Sequence, residues 1–331
     1  MFVISNTLLK EILQFLILFE LRMKKVTILV PCYNEEESLP ALYEALLHLM
    51  NQNPNYNWEL LFVDDGSRDS TIQILKELRK NDKRVSYIEL SRNFGKENAM
   101  LAGFDYATGD CVIIMDADLQ HPPQVIPEML KKWEEGFEDV YGKRLSRGKE
   151  SFMRKKLSLL YYSMLQKSTR YDILPNVGDF RLLDRKCIDA LKQLRESERY
   201  TKGLFCFIGF KKTYVEFETQ DRIAGVSSWN YLGLISLAIQ GITSFTVAPL
   251  RLATLFGTLV SFFAFIYMIF SFIKAVIWGD AVQGFPTLII IILFIGGVEL
   301  LCLGIIGEYV GRIFSETKRR PVYIVRNYNE E

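Results

Sequence analysis

Two long uncharged runs constrain this chain more than anything else in it. No charged residue intervenes between Arg251 and Lys274, and between Asp280 and Glu308 the only one is Glu299. A hydrocarbon layer about 30 Å thick is crossed by ~20 apolar residues in helical form. Each run therefore predicts a transmembrane helix, and the chain must divide into a mixed-polarity portion and a membrane hairpin. Basic residues set the expected orientation. Arg251 precedes the first span, Arg312, Lys318, Arg319 and Arg320 follow the second, and the loop 274–284 holds one Lys and one Asp. The positive-inside rule then puts both termini in the cytoplasm and the loop outside. A carboxylate is costly in lipid, so Glu299 is expected to face a partner, a cavity or another subunit of a homo-oligomer.

The 331 residues suffice for one sizeable soluble domain plus the hairpin. A net charge of +1 gives no bulk attraction for nucleic acid. Charge is nevertheless uneven: Lys143, Arg144, Arg147, Lys149, Arg154, Lys155 and Lys156 cluster, whereas carboxylates crowd the N-terminal half. The five cysteines lack CxxC or metal-ligand spacing and read as reduced thiols. With His48 and His121 the only histidines, a histidine-rich metal site or histidine triad is disfavoured. Residues 1–22 carry an apolar helical face, but only eight residues separate Glu11 from Glu20, and no basic leader or cleavage site is present. Met23, followed by Lys24-Lys25 and a strand, reads as a natural start. The first 22 residues are thus expected to be an extension, either a start-site artefact or a helix lying on a membrane.

Downstream, short apolar runs alternate with helical stretches. Strands are expected at 26–31, 59–63, 85–90 and 111–115, with helices opening near Asn34, after Ser67 and near Gly95. This alternation predicts an α/β fold with a mostly parallel sheet, whose ligands gather at the carboxyl ends of strands. A basic loop is expected at 142–150, a helix reaching about residue 169, and Gly178-Asp179-Phe180 ahead of a further strand. Residues 229–245 lack charge and suit an interfacial helix anchored by Trp229 and Tyr231. The expected division is an extension (1–22), a catalytic domain (23–228), interfacial helices (229–248), a two-helix anchor (249–312) and a cytoplasmic tail (313–331).

The polar motifs fall where strands end. In extended chain, residues two apart point the same way, so Asp116 and Asp118 can face one cation. Mg²⁺ or Mn²⁺ held by one or two carboxylates, with diphosphate and water completing its shell, is the ordinary hard-cation arrangement. It would offset charge developing on a departing nucleoside diphosphate. An aspartate-capped turn is the competing reading. Asp64-Asp65-Gly66-Ser67 supports either a plain turn or hydrogen bonds to a nucleotide's base and ribose. Ser91–Lys96 joins strand to helix, with Gly95 and the cationic Lys96 placed to suit a phosphate or simply a solvated loop. Arg144, Arg147 and Arg222 offer planar forks for phosphate oxygens, against a membrane-surface reading of the same charges. Asp179 reads as a pocket carboxylate acting as base, or as a cap.

Taken together, Val30-Pro31-Cys32-Tyr33-Asn34-Glu35-Glu36, Val63-Asp64-Asp65-Gly66-Ser67, Ser91-Arg92-Asn93-Phe94-Gly95-Lys96 and Asp116-Ala117-Asp118-Leu119-Gln120 resemble family 2 glycosyltransferases that load sugars onto polyprenyl phosphates. Gly178-Asp179-Phe180-Arg181, Pro249-Leu250-Arg251-Leu252 and Leu303–Tyr309 extend the likeness through the hairpin. Bactoprenol glucosyltransferases belong to that group, and dolichyl-phosphate mannose synthases are its relatives. The resemblance implies a GT-A-type fold and inverting transfer of a hexose, glucose foremost, from a UDP-sugar to polyprenyl (undecaprenyl) phosphate at the inner membrane. It places uridine diphosphate on Pro31, Tyr33, Glu35, Asp64 and Asp65, with Lys96 and Asp116 also on the donor side. It places the metal on Asp116, Asp118 and Gln120, the lipid phosphate on Arg144, Arg147 and Arg222, and the catalytic roles on Asp118 and Asp179. Two departures stand out: His121-Pro122-Pro123 where Asp-Pro-Pro is more usual, and no Lys after Ser227-Ser228.

A phosphate-monoester acceptor has a second pKa of about 6, so it is largely dianionic at neutral pH and needs no strong base. Asp179 is therefore expected to orient substrate more than to remove a proton. Processive polysaccharide synthases carry a Gln-x-x-Arg-Trp signature and more spans. None of Trp58, Trp133, Trp229 and Trp278 follows an arginine here. A non-catalytic nucleotide-sugar-binding scaffold would be expected to lose strand-end carboxylates, and both aspartate pairs are intact.

Overall fold

The computed structural model describes residues 23–145, 177–197, 199–218, 247–278 and 285–329. Contacts divide the chain into two compact units, a head that includes residues 321–329 and a helical hairpin. In the head, β1 (Lys25–Cys32), β2 (Asn57–Asp64), β3 (Val85–Leu90) and β4 (Cys111–Ile114) are buried along nearly their whole length. Strands apolar on both faces belong inside a covered parallel sheet. β1 pairs parallel with β2 and β4, and β2 with β3. The crossovers are α1 (Leu39–Gln52), α2 (Thr71–Asn81) and α3 (Lys96–Tyr106). After α4 (Ile126–Glu134) come β5 (Asp139–Arg144) and β6 (Val177–Asp184). Then follow α5 (Arg185–Gln193), α6 (Thr201–Phe207) and β7 (Lys212–Phe217). With β8 (Val325–Tyr328), the eight-stranded sheet has the order β7-β5-β6-β4-β1-β2-β3-β8. One layer of the core packs Val30, Leu42, Leu46, Leu60, Phe62 and Ile113 together.

One topological detail positions the site. β6 runs antiparallel to β4, with Ile114 opposite Arg181. The first residues of β6 therefore reach the edge at which the parallel strands end, and Asp179 arrives beside the residues following β4. Asp179 lies inside β6 rather than ahead of it, and β5 takes 142–144 from the expected basic loop. α1 begins at Leu39, not near Asn34, because Asn34 adopts a left-handed φ of 55° and the amides of residues 34–36 bond to the segment after β2. Residues 325–328 of the expected tail form the edge strand β8. Arg326 and Asn327 both donate to Glu89 of β3, which a hydropathy pattern does not record.

The second unit holds α7 (Ala248–Trp278) and α8 (Phe285–Thr317). Their apolar windows, Pro249–Tyr267 and Phe294–Thr317, are long and apolar enough to cross a membrane, with 6% and 0% of their residues buried. Outward apolar side chains on helices that satisfy their own backbone suit lipid. Glu299 is exposed on α8. Residues 1–22, the interfacial segment 229–246, Arg147 and Arg222 lie outside the described residues.

Candidate active site

The loops after β1 and β2 are tied together residue by residue. Asn34 N–H donates to Ser67 Oγ, Arg68 N–H donates to the Asn34 side chain, and Glu35 N–H donates to Thr71 Oγ1. Tyr33 remains exposed beside them, and the Glu35 carboxylate accepts from the Ser38 hydroxyl. Asp64 and Asp65 are both buried, and burial pushes both carboxyls above their usual range. Asp64 accepts from Ser67 N–H. Asp65 accepts the amides of Phe94 and Gly95 at 2.7 and 2.8 Å, clamping the loop between β3 and α3. Gly66 makes the approach possible. Its φ is +69°, and a Cβ there would sit 2.5 Å from the Arg92 carbonyl carbon.

That clamp delivers Lys96 to the centre of the site. Its ammonium donates to Asp116 Oδ1 at 2.5 Å and to Asp179 Oδ2 at 2.8 Å. Burial alone would raise Asp179, but Lys96, Lys202 and Arg181 outweigh it and hold the carboxyl well below the usual range. Asp116 is likewise held low, because Lys96 outweighs its burial. Burial works against the Lys96 charge, yet the two aspartates hold that ammonium well above its ordinary value. The other oxygen of Asp179, Oδ1, is buried without a partner among the described residues.

Sequence reasoning grouped Lys96, Asp116 and Asp179 only by strand ends, and the structure brings them into direct contact. It also alters one step of the argument. The alternation that would point Asp116 and Asp118 the same way ends with β4 at Ile114. Leu119 then turns left-handed at φ 58°, and Asp118 accepts from Gln120 N–H. Among the described residues no three of His, Cys, Asp or Glu gather to hold an ion by themselves. Asp116 and Asp118 fit instead the pattern of two hard oxygen donors whose cation takes its remaining ligands from a diphosphate and water.

Several residues were missed. Glu97 is pushed up by burial and by Asp179, and accepts from Thr201 N–H at 3.0 Å, tying α6 to α3. Arg181 pairs with Asp139 where both side chains are 3% exposed, and lies 3.7 Å over the Phe205 ring. His121 is 1% exposed and stacks on Phe180. Its Nδ1 accepts from Asp116 N–H at 3.2 Å, and its Nε2 lies 3.4 Å from Arg144. Two of them had a sequence signal: His121 stands three residues after Asp118, and Arg181 closes the Gly178-Asp179-Phe180-Arg181 motif. The pairing of Glu97 with Thr201 joins positions 104 residues apart.

Residues 27–192 match the family described as glycosyl transferase family 2, and residues 248–313 match the GtrB C-terminal hairpin. Among similar proteins, the putative glycosyltransferase CsbB of Bacillus subtilis is 44% identical, covering 92% of each chain. The bactoprenol glucosyl transferase of Shigella phage SfV is 39% identical, over 93% of this chain and all of the relative. The prophage bactoprenol glucosyl transferase homolog of Escherichia coli K12 is 39% identical over 91% of this chain and 98% of its own length. A GT-A-like sheet, strand-end carboxylates and near-full-length relatives agree: this membrane-associated chain belongs to glycosyl transferase family 2 and is a glycosyltransferase.

Proposed function

We propose that the protein transfers glucose, with inversion, from UDP-glucose to polyprenyl (undecaprenyl) phosphate at the cytoplasmic face of the inner membrane. The observation that carries this reading is the match to the phage bactoprenol glucosyl transferase over that protein's entire length, hairpin included. In this reading Pro31, Tyr33, Glu35 and Asp64 receive the uridine end of the donor. Asp65 serves it indirectly, since both its oxygens hold the loop that presents Lys96. Lys96 meets the donor diphosphate. A Mg²⁺ or Mn²⁺ ion on Asp116 and Asp118, with Gln120 beside them, would supply positive charge against the leaving diphosphate. Arg144, Arg147 and Arg222 receive the acceptor phosphate. Asp179 accepts from a sugar hydroxyl through its free oxygen and orients the donor, since an acceptor already dianionic needs no strong base.

The test is transfer of radiolabel from a panel of nucleotide sugars into undecaprenyl phosphate by the detergent-purified full chain with Mn²⁺ or Mg²⁺. Label entering lipid from UDP-glucose, and abolished by EDTA and by Asp118→Asn, is the expected result. Label from a different donor would replace glucose, and no lipid label from any donor despite sound UDP binding would overturn the acceptor.

A further inference from the structure

The contact between His121 and Arg144 does not balance as drawn. An amide N–H can only donate, so the Asp116 N–H directed at His121 Nδ1 at 3.2 Å requires that nitrogen to be bare. The imidazole proton then resides on Nε2. That N–H lies 3.4 Å from an Arg144 terminal nitrogen, and a guanidinium has no acceptor to offer. Two donors therefore meet head to head. Arg144 adds a second imbalance, because its Nε is buried with no partner and the residue has no ion pair among the described residues. Nothing here allows the ring to turn away. His121 lies face to face with Phe180, centroids 4.8 Å apart at 8°, with Phe217 edge-on at 5.9 Å.

Such an arrangement is completed by an acceptor carrying negative charge. We infer that His121 Nε2–H and the Arg144 guanidinium converge on one oxygen of a phosphate group, making His121 a phosphate-binding residue beside Arg144. The inference rests on the reading above that Arg144 faces a phosphate-bearing substrate. Place supports it. The Arg144 guanidinium lies alongside Gly178, one residue before Asp179, and His121 is bonded to the Asp116 amide, so the oxygen would stand beside the segments that carry Asp116 and Asp179.

Two substitutions separate this role from a structural one. Asn in place of His121 keeps an acceptor near the Nδ1 position and loses the distal donor, whereas Gln keeps a distal N–H and loses the near acceptor. Binding of farnesyl monophosphate, inorganic phosphate and UDP to the full chain in detergent is measured for wild type, His121→Asn and His121→Gln. His121→Asn is expected to weaken one phosphate ligand roughly tenfold or more, the worth of a hydrogen bond to a charged group, with His121→Gln much closer to wild type. Loss confined to farnesyl monophosphate assigns the oxygen to the lipid acceptor, and loss confined to UDP assigns it to the donor. The reverse order, with Asn tolerated and Gln damaging, would show that His121 only anchors the Asp116 amide, and would overturn the inference.

Should both variants unfold, the wild type still decides. It has two histidines and His48 is exposed, so the imidazole ¹⁵N signals are assignable with a His48→Gln control. An Nε2–H tautomer for His121 whose signal shifts saturably with the phosphate ligand is expected. An Nδ1–H tautomer, or a signal unmoved by all three ligands, refutes the proposal. Phosphate binding that persists in a protein unable to label any polyprenyl phosphate would sink the proposed reaction while leaving the pair in place.

Discussion

Replacing Lys96 by Met removes the one cation among the described residues that touches both Asp116 and Asp179. Breaking a fully buried ion pair costs about 3–5 kcal/mol, since the remaining charge is stranded. The Lys96 side chain is 41% exposed, however, so solvent screens both contacts and the expected loss falls to about 2 kcal/mol. For a domain of this size that corresponds to a melting temperature lower by about 4–8 °C. The pH dependence distinguishes this cause from lost packing. In the wild type Asp179 titrates below its unfolded value of about 3.9, so its stabilising contribution is full above that pH and is lost only as pH falls through the folded pKa. Without Lys96, burial pushes the carboxyl upward, and it takes up a proton at a pH where the wild type has not. The deficit is therefore largest near pH 7 and narrows towards pH 4.5. Thermal unfolding of full-length wild type and Lys96→Met in detergent with EDTA, across that range, tests the reasoning. A deficit constant with pH, or none at all, would refute it.

Gly66→Ala forces a left-handed φ on a side chain that meets the Arg92 backbone, so it should displace the loop held by Asp65 and raise the KM for the donor several-fold, with about 1–2 kcal/mol lost in unfolding. Arg181→Met strands buried Asp139 and is expected to cost about 3–5 kcal/mol, most of it recovered when Asp139→Leu is added; equal damage in the double variant would count against the pair. Removing residues 321–331 takes away β8 and the bonds that Ile324 and Arg326 make with Ser91, and faster amide exchange at 91–95 is the expected readout. Asp179→Asn should lower turnover by a similar factor from pH 6 to pH 9. Near-total loss at pH 6 with steady recovery towards pH 9 would instead make Asp179 the base.

The parallel half of the sheet was legible because β1 to β4 are short apolar runs separated by helical periods, and each polar motif stands at a strand end by direct reading. The antiparallel half was legible only in part. A strand was expected after Gly178-Asp179-Phe180 and β6 takes in those residues as well, whereas β8, Val-Arg-Asn-Tyr with alternating exposure, has no strand pattern of its own and is made a strand by pairing with β3. Among the site residues, Asp116 and Lys96 were legible as types suited to phosphate and metal, but their mutual contact depends on how far α3 delivers the ammonium. His121 shows the same limit. One histidine in an apolar-flanked loop is ordinarily a core residue, and only the direction of the Asp116 amide reveals which nitrogen carries the proton.

The proposed reaction brings two anionic substrates to this site, and charge balance bears on how they are held. Asp116 and Asp179 together carry one more charge than the Lys96 ammonium they hold, so that cluster is net negative, while the Arg144 guanidinium beside it has no ion pair among the described residues. In the proposed reaction an incoming phosphate monoester is met by the Arg144 guanidinium. It needs no deprotonation, so the depression of Asp179 by Lys96 costs the reaction nothing, whereas a general base would require the opposite shift. What the reaction does require is that two anionic groups be held close without mutual repulsion, and a carboxylate with one oxygen bonded to Lys96 and the other free can hold a neutral sugar hydroxyl between them. In the proposed reaction the depressed pKa of Asp179 suits an orienting group, fixed in one ionisation state across the pH range in which the acceptor is a dianion.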